Sequence, residues 1–468
     1  AQAGAAMNRL NKSSPAVTCG RPRRVRSGMT LIEMLVAMAA TLMLMAAVAQ
    51  AFSIFGKGIS GSRSALDTAG RMRSVAWRLR QDLAGATAPM LPPLDPAEGL
   101  GYFEVIEGPR FDTAASNGST DLHADIDDVL LFTTRSSGPP FQGRFETGTI
   151  ESDVAEVAWF ARETVPATIP RTYTLYRKQL LVLGYVGVGA FEQQLGQNRI
   201  ATVLFPAFYE TYDVSVARLD GSSDMLVPNT LGDLTRRECR FLHNLNGDTT
   251  GMNLFPYPFL GFASQAPLPH QTPSLSPVVD QLPPAIAGLI FDSASTRRGE
   301  DVVLTNVIAF DVRAFDSSAP LQASASGTDV ITPGDQLQPT AAAAYGSFVD
   351  LGNAGALPAP NGLTQPLFTG PNQLRSGLGA DITRVYDTWS LGYESDGIDQ
   401  DGVHGVDQGT DGLDSQPSLD GVIDDPGERE TSAPYPYPLR GIEVRIRCYE
   451  PTSRQIRQVT VRHTFVPH

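Results

Sequence analysis

Only three cysteines occur in the 468 residues, at positions 19, 239 and 448. None stands close enough to another for a C-x-x-C redox or zinc motif. The chain also lacks H-E-x-x-H, a G-x-S-x-G elbow and a phosphate-binding P-loop, so the short motifs that place metal, nucleophile or nucleotide chemistry are missing. The six histidines, at 123, 243, 270, 404, 463 and 468, are scattered without ligand spacing. Basic residues are in deficit, with 36 Lys and Arg against 50 Asp and Glu and a net charge of −14. Nucleic-acid binding requires a basic face, so this balance argues against it. The sequence reads as that of a protein without a catalytic site.

One absence is local. No charged residue stands between Glu33 and Lys57. Met34 to Gly56 is 23 residues. As a helix that run is about 35 Å long, and a bilayer core is roughly 30 Å thick. Arg21, Arg23, Arg24 and Arg26 stand just before it. Glu33 sits at its front edge. A carboxylate at the bilayer centre costs ~2.5–3.5 kcal/mol on insertion scales, and less near an end. Glu33 therefore calls for a cationic partner. Arg26 serves if the basic leader stays attached, and the new amine of Met29 serves if the chain is cut after Gly28.

The stretch "SGMTLIEMLVAMAATLML" (27–44) resembles the cleavage and methylation segment of type IV prepilins and type II secretion pseudopilins. The resemblance implies cleavage after Gly28 by a prepilin peptidase, N-methylation of Met29 by the same kind of enzyme, and a fifth mature residue, Glu33, that neutralises the amine of a neighbouring subunit during assembly. Met29 departs from the commoner Phe at that position. The alternative is a secretory signal peptide, for which Ala47-Val48-Ala49 before Gln50 offers an A-x-A-like site. Glu33 inside the apolar region argues against that alternative. Met7 is taken as a candidate start.

The leader, 1–28, holds six of the 36 basic residues and none of the acidic ones, so removing it leaves 440 residues with a net charge of −20. The basic leader is expected to stay cytoplasmic, sending the C-terminus across a bacterial inner membrane in a single pass. Cys19 goes with the leader. Cys239 and Cys448 remain as an even pair in an exported chain, and are either a disulfide or two buried thiols.

The expected fold class is α+β. A transmembrane helix (29–56) leads into an amphipathic stem (57–88), then a β-rich antiparallel head (89–468) with large loop insertions. In the stem, Leu66, Ala69, Met72, Ala76, Leu79 and Leu83 recur at three- and four-residue steps. Arg71, Arg73, Arg78, Arg80 and Asp82 fall mostly on the other face. Gly56, Gly58, Gly61 and Gly70 are expected to loosen the helix, each by about 1 kcal/mol relative to Ala. Strands are predicted over 127–135, 153–162, 171–183, 301–316 and 441–450, with a terminal hairpin after "PTSR". In 441–450, Ile442, Val444, Ile446 and Cys448 alternate with Glu443, Arg445 and Arg447, as in a half-buried strand. Residues 184–300 show few strong strands. Residues 264–284 and 317–380 read as loops or disordered arms. The succession of strands looks like the minor pseudopilin J and minor pilin W group.

Residues 393–430 carry 12 Asp and Glu and one basic residue, Arg429. Asp396, Asp399, Asp401, Asp407, Asp411 and Asp414, interleaved with glycines, offer the oxygen ligands that Ca²⁺ takes. The EF-hand frame fails, because it would place Gly397 at position one and Gln408 at position twelve. The segment resembles the aspartate-rich calcium repeats of exported proteins; a solvated acidic loop is the alternative. No cofactor other than Ca²⁺ is suggested.

These features point to a minor pseudopilin of a type II secretion pseudopilus, with other pilin-like subunits and inner-membrane lipid as partners. The alternatives are a minor type IV pilin of the W type, or an exported binding or hydrolase module on a prepilin-type anchor.

Overall fold

In the computed structural model, residues 30–91, 96–107, 125–126, 128–145, 148–164, 172–183, 209, 212–218, 226–236, 239–241, 300–323, 330–331, 344–352, 368, 384–388, 435 and 437–466 are described. The apolar run and the stem form one α-helix, α1 (Leu31–Ala84). The glycines do not break it. A Cβ at Gly56, Gly61 or Gly70 would meet nothing within 4 Å, so these glycines serve no close packing. The chain divides into two units between Gly61 and Ser62.

In the first unit every residue from Thr30 to Gly56 is exposed. Leu31 is 81% exposed and Phe52 72%, so this stretch has no apolar face turned inward. By length and composition, α1 is apolar enough to cross a membrane.

The second unit begins with the rest of α1. Met72, Val75, Ala76, Leu79 and Leu83 are buried at helical spacing. Two assignments shift. Leu66, expected on the buried face, is 71% exposed, and the inward stripe runs instead through half-buried Ala65, Thr68 and Ala69. Asp82, expected on the solvent face, is buried. The helix ends at Gly85, where a Cβ would collide with the Arg135 carbonyl; only glycine permits the backbone to approach there.

The strands are β1 (Phe103–Glu107), β2 (Val129–Arg135), β3 (Phe141–Phe145), β4 (Gly148–Ser152), β5 (Val154–Glu163), β6 (Tyr173–Leu181), β7 (Val216–Arg218), β8 (Leu226–Pro228), β9 (Val302–Ala323), β10 (Val330–Ile331), β11 (Ala344–Val349), β12 (Arg384–Asp387), β13 (Gly441–Glu450) and β14 (Gln455–Thr464). The main sheet has the order β12-β1-β2-β5-β6-β9-β13-β14, with β10 and β11 also on β9. Its pairings are antiparallel. β3–β4 and β7–β8 are separate hairpins. The buried face of α1 and the sheet share one apolar core.

Each predicted strand is present, and the "PTSR" turn joins β13 to β14 in register from Glu450↔Gln455 to Gly441↔Thr464. β9 is longer than expected. Its start pairs with β6, its middle with β13, and its end with β11. Asn306, at φ 58°, lies where the β6–β9 register shifts, between Leu304 and Val307. Asn tolerates this left-handed geometry, and the register slips there as in a bulge. Residues 317–323 and 344–349, expected to be loop, are strand. Their Ser, Ala, Pro and Gly content is weak for a strand by propensity, but mutual pairing overrides it. Residues 264–284 lie outside the described residues.

Candidate functional site

The N-terminal segment is built around Thr30 and Glu33. The Thr30 carbonyl accepts the first helical bond, from the Met34 amide. The Glu33 amide donates to Thr30 Oγ1 at 3.3 Å, and Glu33 Oε2 accepts from the Thr30 amide at 2.9 Å and from the Thr30 hydroxyl at 3.0 Å. This is a capping box, in which two orphan amides of the first helical turn are satisfied reciprocally. The T-x-x-E pattern ahead of an apolar run signals it in the sequence. Glu33 thus has a local role in starting α1. A carboxylate accepts several bonds, so this role leaves it able to meet a cation as well. Gly28 and Met29 lie outside the described residues.

Asp396, Asp399, Asp401, Asp407, Asp411 and Asp414 also lie outside them. Cys239 and Cys448 are described; both are buried, and no disulfide joins them. They occupy different surroundings. The Cys239 carbonyl accepts from Asn229 Nδ2 at 2.7 Å. Cys448 Sγ donates to the Thr305 carbonyl at 3.4 Å. Burial, with help from Glu450, pushes the Cys448 thiol up to about 11, against the pull of Arg71. It stays protonated and a poor nucleophile.

What sequence reading missed is the buried charge of the second unit. Asp82 joins α1 to the sheet. Its Oδ2 accepts from Arg177 Nε at 2.6 Å and from Trp159 Nε1 at 3.0 Å, and its Oδ1 accepts from Arg177 Nη2 at 2.8 Å. Trp159 and Arg177 are directly opposed on β5 and β6. A second group centres on Arg240, which is fully buried. Its Nη1 donates to Glu104 at 3.1 Å and to Asp387 at 2.8 and 2.9 Å. Its Nε and Nη2 donate to the carbonyls of Leu234 and Thr235. Its plane lies 4.2 Å from the Tyr102 ring centroid. Burial opposes its charge, but Asp387 and Glu104 outweigh that and hold its pKa above the ordinary value. Asn229, Leu234, Thr235, Cys239, Arg240 and Phe241, in a stretch with few strong strand signals, are thus buried in the core. On β13, Glu443 is buried against Arg445 and Arg462 and does not face solvent as the alternation implied.

A third group is acidic. Glu107, Asp125 and Asp128 each place a carboxylate oxygen within 4.8 Å of the others, as do Asp125, Asp311 and Asp350. All five are buried. Burial, then Asp128, Asp350 and Asp311, push the Glu107 carboxyl well above its ordinary range, while the Leu351 amide pulls the other way. Among the described residues these are the groups that could hold a metal.

A model of the prokaryotic N-terminal methylation motif matches residues 23–49. No curated protein and no solved structure matches the chain. The matched segment covers the basic approach, Gly28, Met29, the Thr30–Glu33 cap and the exposed apolar turns after it. The chain carries a prepilin-type N-terminal methylation motif, leading into a long apolar helix and then a β-rich antiparallel domain.

Proposed function

We propose that the protein is a minor pilin-like subunit of the bacterial inner membrane, assembled into or at the tip of a type II secretion pseudopilus. The observation that carries this is the methylation motif at 23–49, whose residues from Leu31 onward lie on a helix with every apolar residue exposed from Leu31 to Phe55. Such a surface requires lipid or the helices of other subunits. The chain is exported with its head in the periplasm and is processed by a prepilin peptidase and methyltransferase. A head this large would crowd a filament wall, and the tip offers it room. The role is structural and not enzymatic.

Three experiments test this. Intact-mass and N-terminal analysis of membrane-extracted protein should find a chain beginning at N-methylated Met29; a chain beginning at Gln50 overturns the proposal. Glu33→Gln retains the acceptor of the capping box and removes the charge. It should insert normally, yet incorporate poorly into filaments by crosslinking. Normal incorporation would remove the assembly role of Glu33. Deletion in the native host should abolish secretion of exoproteins and leave pili intact; the reverse outcome favours a minor type IV pilin.

A further inference from the structure

The acidic group arises where four distant pieces of chain meet. Glu107 ends β1 and Asp128 precedes β2; since Ile106 pairs with Val129, these two acids stand opposite each other at the end of the β1–β2 ladder. Asp311 lies within β9, and Asp350 follows β11, whose Val349 pairs with Ala314. β6 pairs with β9 only as far as Val307. Beyond that point Asp125 and Asp128 lie along β9. The Phe310 amide donates to the Asp125 carbonyl at 2.9 Å, and the Val312 amide to Asp128 Oδ2 at 2.6 Å. The Leu351 amide donates to Glu107 Oε2 at 3.1 Å. Backbone amides therefore fix the Glu107 and Asp128 carboxylates, and the Asp125 main chain, in place.

The two overlapping acidic triads differ in what serves them. Arg313 Nε lies 3.0 Å from Asp311 and 2.9 Å from Asp350, so the triad on that side has a guanidinium. On the other side, Glu107 is 0% exposed and its second oxygen, Oε1, accepts no hydrogen bond among the described residues. A buried oxygen of this kind, within reach of two further carboxylates, indicates a ligand with positive charge. The donor set is oxygen only, which suits a hard cation and not zinc or copper. Ca²⁺ binds oxygens at about 2.3–2.6 Å, so oxygens on one ion lie up to about 5 Å apart; the carboxylate oxygens of each triad lie within 4.8 Å of one another, inside that span. Mg²⁺ draws its ligands closer and keeps several waters, which a buried pocket does not favour.

We propose that Glu107, Asp125 and Asp128 form a buried Ca²⁺ site, with Asp311, Asp350 and Arg313 as its second wall. The ion fastens the ends of β1 and β2 to the middle of β9. This site is distinct from the acidic segment 393–430 and independent of the filament role proposed above.

The test uses the full chain purified in detergent micelles and stripped with chelator. Calcium titrated into it should bind saturably. Ca²⁺ in hundredfold excess over its dissociation constant should raise the melting temperature by on the order of 5 °C. Mg²⁺ at equal ionic strength should not. Glu107→Gln keeps an acceptor for the Leu351 amide and removes one charge. It should weaken Ca²⁺ binding at least about tenfold, and in chelator should melt no lower than the parent, because a repelling carboxylate is gone. Asp399→Asn with Asp401→Asn should leave the Ca²⁺ response intact. Coincident melting curves in Ca²⁺ and chelator would overturn the proposal, as would an equal response to Mg²⁺. A response abolished by the Asp399/Asp401 pair and kept by Glu107→Gln would also overturn it. Should Glu107→Gln not fold, the parent titration and the Asp399/Asp401 variant still decide.

Discussion

From Thr30 to Gly56 the chain presents apolar side chains outward, with one carboxylate held by its own helix cap, whereas from Ser62 onward it buries Asp82, Arg177, Arg240, Glu104, Asp387, Arg313 and Glu443 among apolar residues. The first unit leaves its apolar surface for something outside the chain to cover. The second unit satisfies these seven buried charges from within, by pairing each guanidinium with carboxylates. Burying ions is expensive, and such pairs persist only where geometry and added hydrogen bonds are good. Arg240 meets that condition with two carboxylates, two carbonyls and an aromatic face. The contrast teaches where each unit is vulnerable. The head should fail when one charge of a buried set is removed, and the N-terminal helix should fail when a charge is added.

The largest effect is expected at Arg240. Arg240→Ala leaves Glu104 and Asp387 buried without their guanidinium, and breaking such a set costs about 3–5 kcal/mol. Thermal or denaturant unfolding of the full chain in micelles measures it. A loss below about 1 kcal/mol would mean that residues 229–241 are not held in the core as described.

Next in size is the converse change. Leu42, 64% exposed, lies within the apolar run. Leu42→Arg should raise the cost of membrane insertion by ~2.5–3.5 kcal/mol relative to a neutral position. It should leave the melting of the head unchanged. Reduced membrane fractionation with an unaltered head transition is the expected pair of results. A head transition that moved with it would show the two units to be energetically one.

Asp82→Asn comes third. The amide still accepts a bond from Arg177 but loses the charge, and a hydrogen bond to a charged group is worth about 1.5–3 kcal/mol. A destabilisation of about 2 kcal/mol is therefore expected. Adding Arg177→Gln should cost little more, since residues in one ionic network are not additive. Full additivity in a double-mutant cycle would show that the two side chains do not act together.

The same contrast explains what was legible in the sequence. The N-terminal motif is local, so contiguous residues carry all of it, including the capping box. Strands β2, β5, β6, β9, β13 and β14 were legible because β-branched and aromatic residues run continuously through them. β1, "FEVIE", was missed because Glu104 and Glu107 look like surface residues; both are buried by partners more than 130 positions away, Arg240 and Leu351. Asp82 was misplaced for the same reason, since Arg177 and Trp159 are nowhere near it in the chain. Periodicity assigns charge to solvent by default. It has no means of seeing a charge that a distant opposite charge brings inside.

The smallest effect concerns the join of α1 to the last hairpin. Glu450 ends β13 and is buried, and burial alone would push its carboxyl upward. Hydrogen bonds from Ser453, from the Ser64 hydroxyl on α1 and from the Thr452 amide outweigh that and hold it down at about 2. A carboxyl depressed in the folded state contributes stability that is fully present above its unfolded value, roughly 4.3, and is lost as pH falls through the folded value. The contribution should therefore fade between about pH 4.3 and about pH 2, the window set by those two values. Ser64→Ala removes one donor and moves the folded value back toward the unfolded one. At neutral pH the variant should be slightly less stable than the parent, and the difference should shrink across that window and vanish near pH 2. Glu450→Gln should erase the pH dependence of the difference. The measurement is a set of denaturant curves between pH 2 and pH 7 on parent, Ser64→Ala and Glu450→Gln. Parallel stability curves for parent and Ser64→Ala across that range would show that Ser64 does not hold Glu450, and that α1 meets the hairpin through apolar packing alone.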